Sequence, residues 1–304
     1  MAKLVLLDGH AIIHRAFHAI RPLTTSRDEL VNAVFGFSSM LLNVLEIEKP
    51  DYIAVAFDRK GKTFRHHATE EYKATRAKTA PELIDQIRRV YEIVRAFSIP
   101  IFSGNGFEAD DILGAICERV KNEADLQTII VSGDRDLLQL VNAKVSVHDL
   151  AGGYRQALKF GPAEVVKKFG FEPSLIPDFK GLAGDSSDNL KGVDGIGPKT
   201  ATELIQKFGS LENILDHLAE IRPTVREKLE RNRENALLSK RLATIRCDAQ
   251  IEFDLGKCRL EDFDREAVLK LFGELEFHSL AKRFEKIFPV KIKVVQPIEQ
   301  PKLF

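Results

Sequence analysis

The sequence predicts an α/β protein built on a mostly parallel sheet, followed by a helical region. Short apolar runs alternate with amphipathic segments through the first half of the 304 residues, the signature of βαβ units. Three of these runs end in an aspartate: residues 4–7 before Asp8, 53–57 before Asp58 and 129–131 just before Asp134. Beyond about Phe160 the strand pattern fades, and helical periodicity dominates to about Phe288.

In chain order, residues 10–19 carry helical spacing and residues 33–45 read as a second helix. A Gly-containing loop at 103–107 leads into Glu108-Ala109-Asp110-Asp111, the start of a helix whose acidic first turn suits the helix dipole. Glu108 and Asp111, three residues apart, are expected on one face. Residues 289–304 hold three prolines and no sustained period, and read as an extended tail. The expected division is 1–178, 179–288 and the tail.

Lys+Arg and Asp+Glu balance at 45 each, so net charge excludes no partner. Cys117, Cys247 and Cys258 are widely spaced without a C-x-x-C pair, which argues against a disulfide framework or zinc site and for a reducing compartment. The N-terminus enters a strand pattern directly, without signal-peptide regions. No apolar run approaches the roughly 18 residues of a membrane span. A cytoplasmic protein is expected.

Nine carboxylates stand out: Asp8, Asp58, Glu108, Asp110, Asp111, Asp134, Asp136, Asp185 and Asp188. In an open parallel sheet, ligands bind beyond the carboxyl ends of the strands. Acids converging there repel unless cations neutralise them. One Mg²⁺ needs only one or two carboxylates, so the set points to two or more divalent ions. Such ions, about 3.5–4 Å apart, clamp the attacking and leaving oxygens of a phosphoryl displacement. A single Asp after a strand is commonly a cap or turn residue; joint placement is what favours metal.

Between Arg59 and Lys78, seven Lys and Arg face two Glu, with Phe64, His66, His67 and Tyr72 interleaved. Basic residues with aromatics suit a phosphate backbone and stackable bases. The segment Gly192-Val193-Asp194-Gly195-Ile196-Gly197-Pro198-Lys199-Thr200 reads as a glycine hairpin entering a helix at Pro198. Its backbone N–H groups, with Lys199 and Thr200, suit a DNA phosphate. The spacing is not that of a P-loop.

Together these stretches resemble the 5′-nuclease domain of bacterial DNA polymerase I, in the flap endonuclease family. The motifs are Leu7-Asp8-Gly9-His10, Ala56-Phe57-Asp58, Phe64-Arg65-His66 through Tyr72-Lys73-Ala74-Thr75-Arg76, Gly106-Phe107-Glu108-Ala109-Asp110-Asp111, Gly133-Asp134-Arg135-Asp136 and Gly184-Asp185-Ser186-Ser187-Asp188 into the hairpin. The resemblance implies a PIN-like nuclease core, a helical arch at about 64–97 and a C-terminal helical domain with a helix-hairpin-helix element. It implies a 5′-3′ exonuclease and flap endonuclease acting by two-metal-ion hydrolysis, with Mg²⁺ or Mn²⁺ at the nine acids and possible K⁺ at the hairpin carbonyls. Lys73 and Arg76 match arch residues that contact the scissile phosphate, and Asp58 joins them as catalytic. Tyr72 is expected to stack on a base or brace the arch, while Gly195, Gly197, Lys199 and Thr200 contact duplex. Implied partners are 5′-flap, nicked or gapped DNA and RNA primers, bound by a monomer.

The sequence stops at Phe304 without a polymerase-like region, which leaves a freestanding nuclease and a fragment both open. Gln300, Leu303 and Phe304 fit the Gln-x-x-Leu-Phe pattern of peptides that bind the bacterial sliding clamp. A non-catalytic DNA-binding scaffold on the clamp is the alternative reading. A small-molecule phosphatase is disfavoured because Asp8 is followed by Gly9 and His10 rather than a D-x-D-x-T strand.

Overall fold

The computed structural model describes residues 1–76, 79–150, 153–260 and 263–289. Ala77, Lys78 and the clamp-like residues Gln300, Leu303 and Phe304 lie outside them. Strands β1 (Ala2–Asp8), β2 (Tyr52–Ala56), β3 (Ile101–Phe102), β4 (Leu126–Ser132), β5 (Val145–Asp149) and β6 (Leu158–Phe160) form one sheet in the order β3-β2-β1-β4-β5-β6. Every pairing is parallel except β5 with β6. The chain builds outward from β1 through β2 to β3, then returns to place β4 on the other side of β1. That reversal opens a crevice at the carboxyl ends of β1 and β4, where ligands of such sheets bind.

Both faces of the sheet are covered, which explains why β1, β2 and β4 read as apolar runs rather than alternating ones. Successive side chains point to opposite faces. Leu4 and Leu6 of β1, Ala54 and Ala56 of β2 and Ile130 of β4 enter one core. Val5, Leu7, Ile53, Val55, Ile129 and Val131 enter the other. The second core holds helices α1 (Gly9–Ala19), α2 (Asn32–Glu48) and α4 (Pro81–Ala96), the last preceded by the short α3 (Phe64–Ala68). The first holds α5 (Ala109–Val120) and residues from α6 (Pro162–Phe169), α7 (Ile176–Ala183), α8 (Pro198–Phe208), α9 (Leu211–Asp216), α10 (Pro223–Arg231) and α11 (Arg233–Ala243).

The last two helices of the expected 179–288 region pack apart from the rest of it. Helices α12 (Arg265–Glu274) and α13 (His278–Ile287) return to the opposite face and join α2 and α4. Phe272, Phe277 and Phe284 are buried there. Residues 265–287 thus pack with the first helices of the chain rather than with the helical region they follow in sequence.

Candidate functional site

Asp8 ends β1 and caps α1, with Oδ1 accepting the Ala11 N–H at 3.1 Å. Its Oδ2 accepts the Ser132 hydroxyl at 2.6 Å, and Ser132 Oγ accepts the Asp134 N–H at 2.9 Å. One serine therefore ties the ends of β1 and β4 together. Asp58, two residues beyond β2, accepts the N–H of Ala109 at 2.7 Å, the first residue of α5. Its own N–H donates to His10 Nδ1 at 3.0 Å. A Cβ on Gly9 would stand 2.3 Å from the Phe57 ring, so only glycine lets α1 begin this close to β2.

Asp8, Asp58, Glu108, Asp110 and Asp134 line one cavity of about 400 Å³, facing Lys73, Arg76, His10 and His14. Burial pushes the Asp8 carboxyl up to about 7 against its bonds from Ser132 and Ala11, and repulsion from Asp58 and Asp134 adds to the rise. Burial raises Asp110 well above the ordinary carboxylate range, with repulsion from Asp134, Asp8 and Asp136 adding to it. The cavity holds more negative charge than its walls solvate.

Protein cations meet part of that charge. Lys73 Nζ lies 2.8 Å from Glu108 Oε2, and Arg76 Nη2 lies 2.7 Å from Asp188 Oδ1. Lys180 of α7 bonds both Asp136 and Asp185. Burial lifts Asp136 to about 6, aided by Asp134 and opposed by Lys180. Burial would also raise Asp185, but bonds from Lys180 and Ser187 outweigh it and hold it at about 2. Among the described residues, no three His, Cys, Asp or Glu side chains are placed to hold one ion together. Lys73, Arg76 and Lys180 thus sit among the acids, paired with Glu108, Asp188, Asp136 and Asp185.

One assignment changes, and of the two roles expected for Tyr72 the structure favours the second. Asp111 is fully buried, and both its oxygens are engaged by Arg65, at 2.7 and 2.8 Å. It also accepts the N–H groups of Glu108 and Arg246, at 3.0 and 2.9 Å. No direction remains open for a metal ion, so Asp111 is a brace. Glu108 precedes α5 as its N-cap and reaches the cavity, so the two acids do not act on one face. Tyr72 is buried, and its hydroxyl donates to Glu108 Oε2 and Asp188 Oδ2 at 3.1 Å each. It braces the arch and offers no open ring face for a base.

The arch consists of α3, a turn and α4. The turn is seated on the loop at 185–190, where Asp185 and Leu190 exchange two backbone hydrogen bonds of 2.8 Å. Lys73 N–H donates to the Asp188 carbonyl at 3.1 Å, and Asn189 Nδ2 to the Glu71 carbonyl at 2.7 Å. In the hairpin, Gly195, Gly197 and Lys199 are exposed and Thr200 is half-buried; Pro198 is the first residue of α8. Sequence reasoning passed over Lys180, Ser132, His14 and the His10–Asp58 bond. A lysine in the mostly apolar α7, two residues after Asp178, and a histidine two residues after Asp8 were the available signals.

Clustered carboxylates at strand ends, beneath cations from a helical arch, define a nuclease of the phosphodiester-hydrolysing kind. Residues 3–170 match the family described as 5′-3′ exonuclease, N-terminal resolvase-like domain, and residues 171–266 match its C-terminal SAM fold. The chain belongs to the 5′-3′ exonuclease family. It is 42% identical to DNA polymerase I of Caldicellulosiruptor bescii, over 97% of this chain and 35% of that protein. To DNA polymerase I of Bacillus subtilis it is 40% identical, over 92% of this chain and 32% of that protein. The chain therefore spans about a third of the curated relatives it matches. The fold is shared with the T5 5′-exonuclease solved with zinc (TM-score 0.68, 19% identity, covering 94% of this chain and 98% of that one). It is shared too with the catalytic core of Rad2 solved with a DNA substrate (TM-score 0.61, 17% identity, covering 94% and 91%). Among the described residues no helix is long and apolar enough to cross a membrane.

Proposed function

We propose that this nuclease removes nucleotides from DNA 5′ ends and cuts 5′ flaps, using Mg²⁺ or Mn²⁺. The observation that carries the reading is the shared cavity of Asp8, Asp58, Glu108, Asp110 and Asp134 under Lys73 and Arg76. The donor set fits: hard carboxylate oxygens, mutually repelling and brought to one cavity, suit small divalent cations. Asp8, Asp58, Glu108, Asp110 and Asp134 would hold them on one side, with Asp136, Asp185 and Asp188 on the other. When bound, such ions supply Lewis-acid charge and lower the pKa of water at the phosphodiester.

The chain's own residues do the rest. Lys73 and Arg76 leave Glu108 and Asp188 to meet the scissile phosphate, where their charge stabilises the negative charge that develops. Lys180 keeps Asp136 and Asp185 from repelling one another until substrate arrives. The hairpin, through Gly195, Gly197, Lys199 and Thr200, holds the duplex. RNA primers at 5′ ends are accepted because these contacts are to phosphates. Nicked and gapped duplexes fit the same grip. The chain acts as a monomer, and Gln300, Leu303 and Phe304 tether it to the sliding clamp.

The decisive assay is cleavage of a 5′-labelled flap duplex with and without Mg²⁺. Metal-dependent incision near the junction is expected, and Asp8→Asn and Asp134→Asn should bind the flap without cutting it. Duplex binding without incision in Mg²⁺ or Mn²⁺ would favour the scaffold reading. Full flap cleavage by both variants would sink the metal assignment.

A further inference from the structure

The hairpin between α7 and α8 presents one of its carbonyls, that of Gly195, to a lysine of α10. Val193 N–H donates to Leu182 O at 2.9 Å and Ile196 N–H to Val193 O at 3.0 Å, with both apolar side chains buried. Asp194, Gly195 and Gly197 are left exposed between them. Gly195 has φ 76, in the left-handed region that favours glycine. Its carbonyl accepts Lys228 Nζ at 2.9 Å, from α10.

The approach depends on position 195 having no side chain. A Cβ there would stand 2.7 Å from Lys228 Nζ and 3.1 Å from Cε. Glycine thus permits both the backbone conformation and the passage of the lysine. The Lys228 stem rises from a fixed base, since Leu229 beside it is fully buried and α10 packs into the first core.

The family resemblance places a K⁺ ion on the hairpin carbonyls, and at Gly195 the residues present do not fit one. A carbonyl oxygen at a turn is a partial negative charge, and here it already has a cation. An ammonium carries the same charge as K⁺ and is close to it in size. It brings three donors, so one bond to Gly195 leaves others for a phosphate oxygen. A tethered cation also acts at a high effective concentration, whereas a free ion must be drawn from solution.

We infer that Lys228 is the hairpin's own monovalent cation, so that duplex binding through this element needs no K⁺. The inference rests on the reading of the hairpin as a duplex contact. The ammonium serves as the charge between the Gly195 carbonyl and a phosphate held at the start of α8. Exposed Lys199 adds a second charge to the same phosphate path.

The test measures duplex binding by the whole chain in EDTA, which prevents cutting, at one ionic strength in KCl, NaCl or tetramethylammonium chloride. For the unaltered protein the Kd should change less than about twofold among the salts, because total counterion release is the same. Lys228→Met should bind about tenfold more weakly in NaCl than in KCl, as K⁺ fills the vacated carbonyl. Circular dichroism checks that the variant is folded. K⁺-selective binding by the unaltered protein overturns the inference. So does a Lys228→Met variant that binds as well as the unaltered protein in every salt, or that weakens equally in all three. Failure of the unaltered protein to bind duplex in any salt would instead overturn the DNA reading of the hairpin, and the inference with it.

Discussion

Arg65 grips Asp111 at two points, Nη1 to Oδ2 at 2.7 Å and Nη2 to Oδ1 at 2.8 Å, with both side chains buried. The same guanidinium donates to the carbonyls of Leu242 and Thr244 at 2.8 and 3.1 Å. One arginine thus joins the foot of the arch, the start of α5 and the end of α11. Removing one partner of a buried pair leaves an uncompensated charge, at a cost of about 3–5 kcal/mol. Asp111→Ala should lower unfolding stability by that amount in urea while Mg²⁺ binding by the surviving folded protein, followed by calorimetry, is retained. Intact stability together with lost Mg²⁺ binding would return Asp111 to the ligand set.

Asp188 anchors the arch turn through side chain and backbone alike. It takes Arg76 Nη2 at 2.7 Å and the Tyr72 hydroxyl at 3.1 Å, and its carbonyl takes the Lys73 N–H at 3.1 Å. Asp188→Asn keeps the size and backbone but removes the charge that holds Arg76. Losing about 1 kcal/mol of seating should raise the open population roughly fivefold. Trypsin in EDTA should then cut after Lys73 and Arg76 about five times faster than in the unaltered protein. Equal cutting rates would mean the arch is held elsewhere.

Away from the cavity, His148, Tyr154 and Glu48 form a buried group. The Tyr154 hydroxyl donates to Glu48 Oε1 at 3.0 Å, and His148 Nδ1 lies 3.2 Å from the Tyr154 oxygen. Burial lowers His148 to about 4; Glu48 opposes the shift, and Lys159 and Lys3 add to it. The unfolded chain takes up this proton near 6.5 and the native protein only near 4, so in that window the unfolded state binds more protons. This stability is present above pH 6.5 and is lost as pH falls toward 4. The contribution lost between pH 7 and pH 5 is about 2 kcal/mol. Urea midpoints at the two pH values should converge in His148→Gln relative to the unaltered protein. An undiminished pH effect in the variant would assign the loss to other groups.

The sites legible in the sequence were those written in short segments. Asp8, Asp58 and Asp134 could be placed because each follows an apolar run, and parallel strands bring run ends together. Asp110 and Asp111 are adjacent in sequence but face different surroundings, since neighbouring helical positions point about 100° apart. Only the fold shows that one lines the cavity while the other meets Arg65, 46 residues away. Lys180 was missed for the same reason, as its partner Asp136 is 44 residues distant. Helical periodicity likewise reveals that α12 and α13 bury one face but not against what.

That last omission has a testable consequence for how the chain folds. Phe97 of the segment after α4 sits among Phe263, Phe272 and Phe284, with ring centroids 5.2, 6.4 and 5.7 Å away. Phe35 of α2 meets Phe277 edge-on at 5.3 Å. Around this aromatic core, Arg283 bonds Asn43 Oδ1 at 2.7 Å and Glu46 Oε2 at 2.6 Å. A chain ending at residue 178 would uncover the faces of Phe35 and Phe97 that these rings cover, an apolar patch of the kind that drives aggregation. Residues 1–178 should therefore fail to give a soluble, cooperatively melting protein, whereas residues 1–288 should. Within the intact chain, Phe284→Ala should cost about 3–5 kcal/mol, the usual loss for a buried aromatic. Because α13 packs on α2 rather than on the hairpin region, the same substitution should leave duplex affinity within twofold at temperatures where the variant is folded. A stable, monomeric 1–178 fragment would show that the C-terminal helices only rest on a core already complete without them.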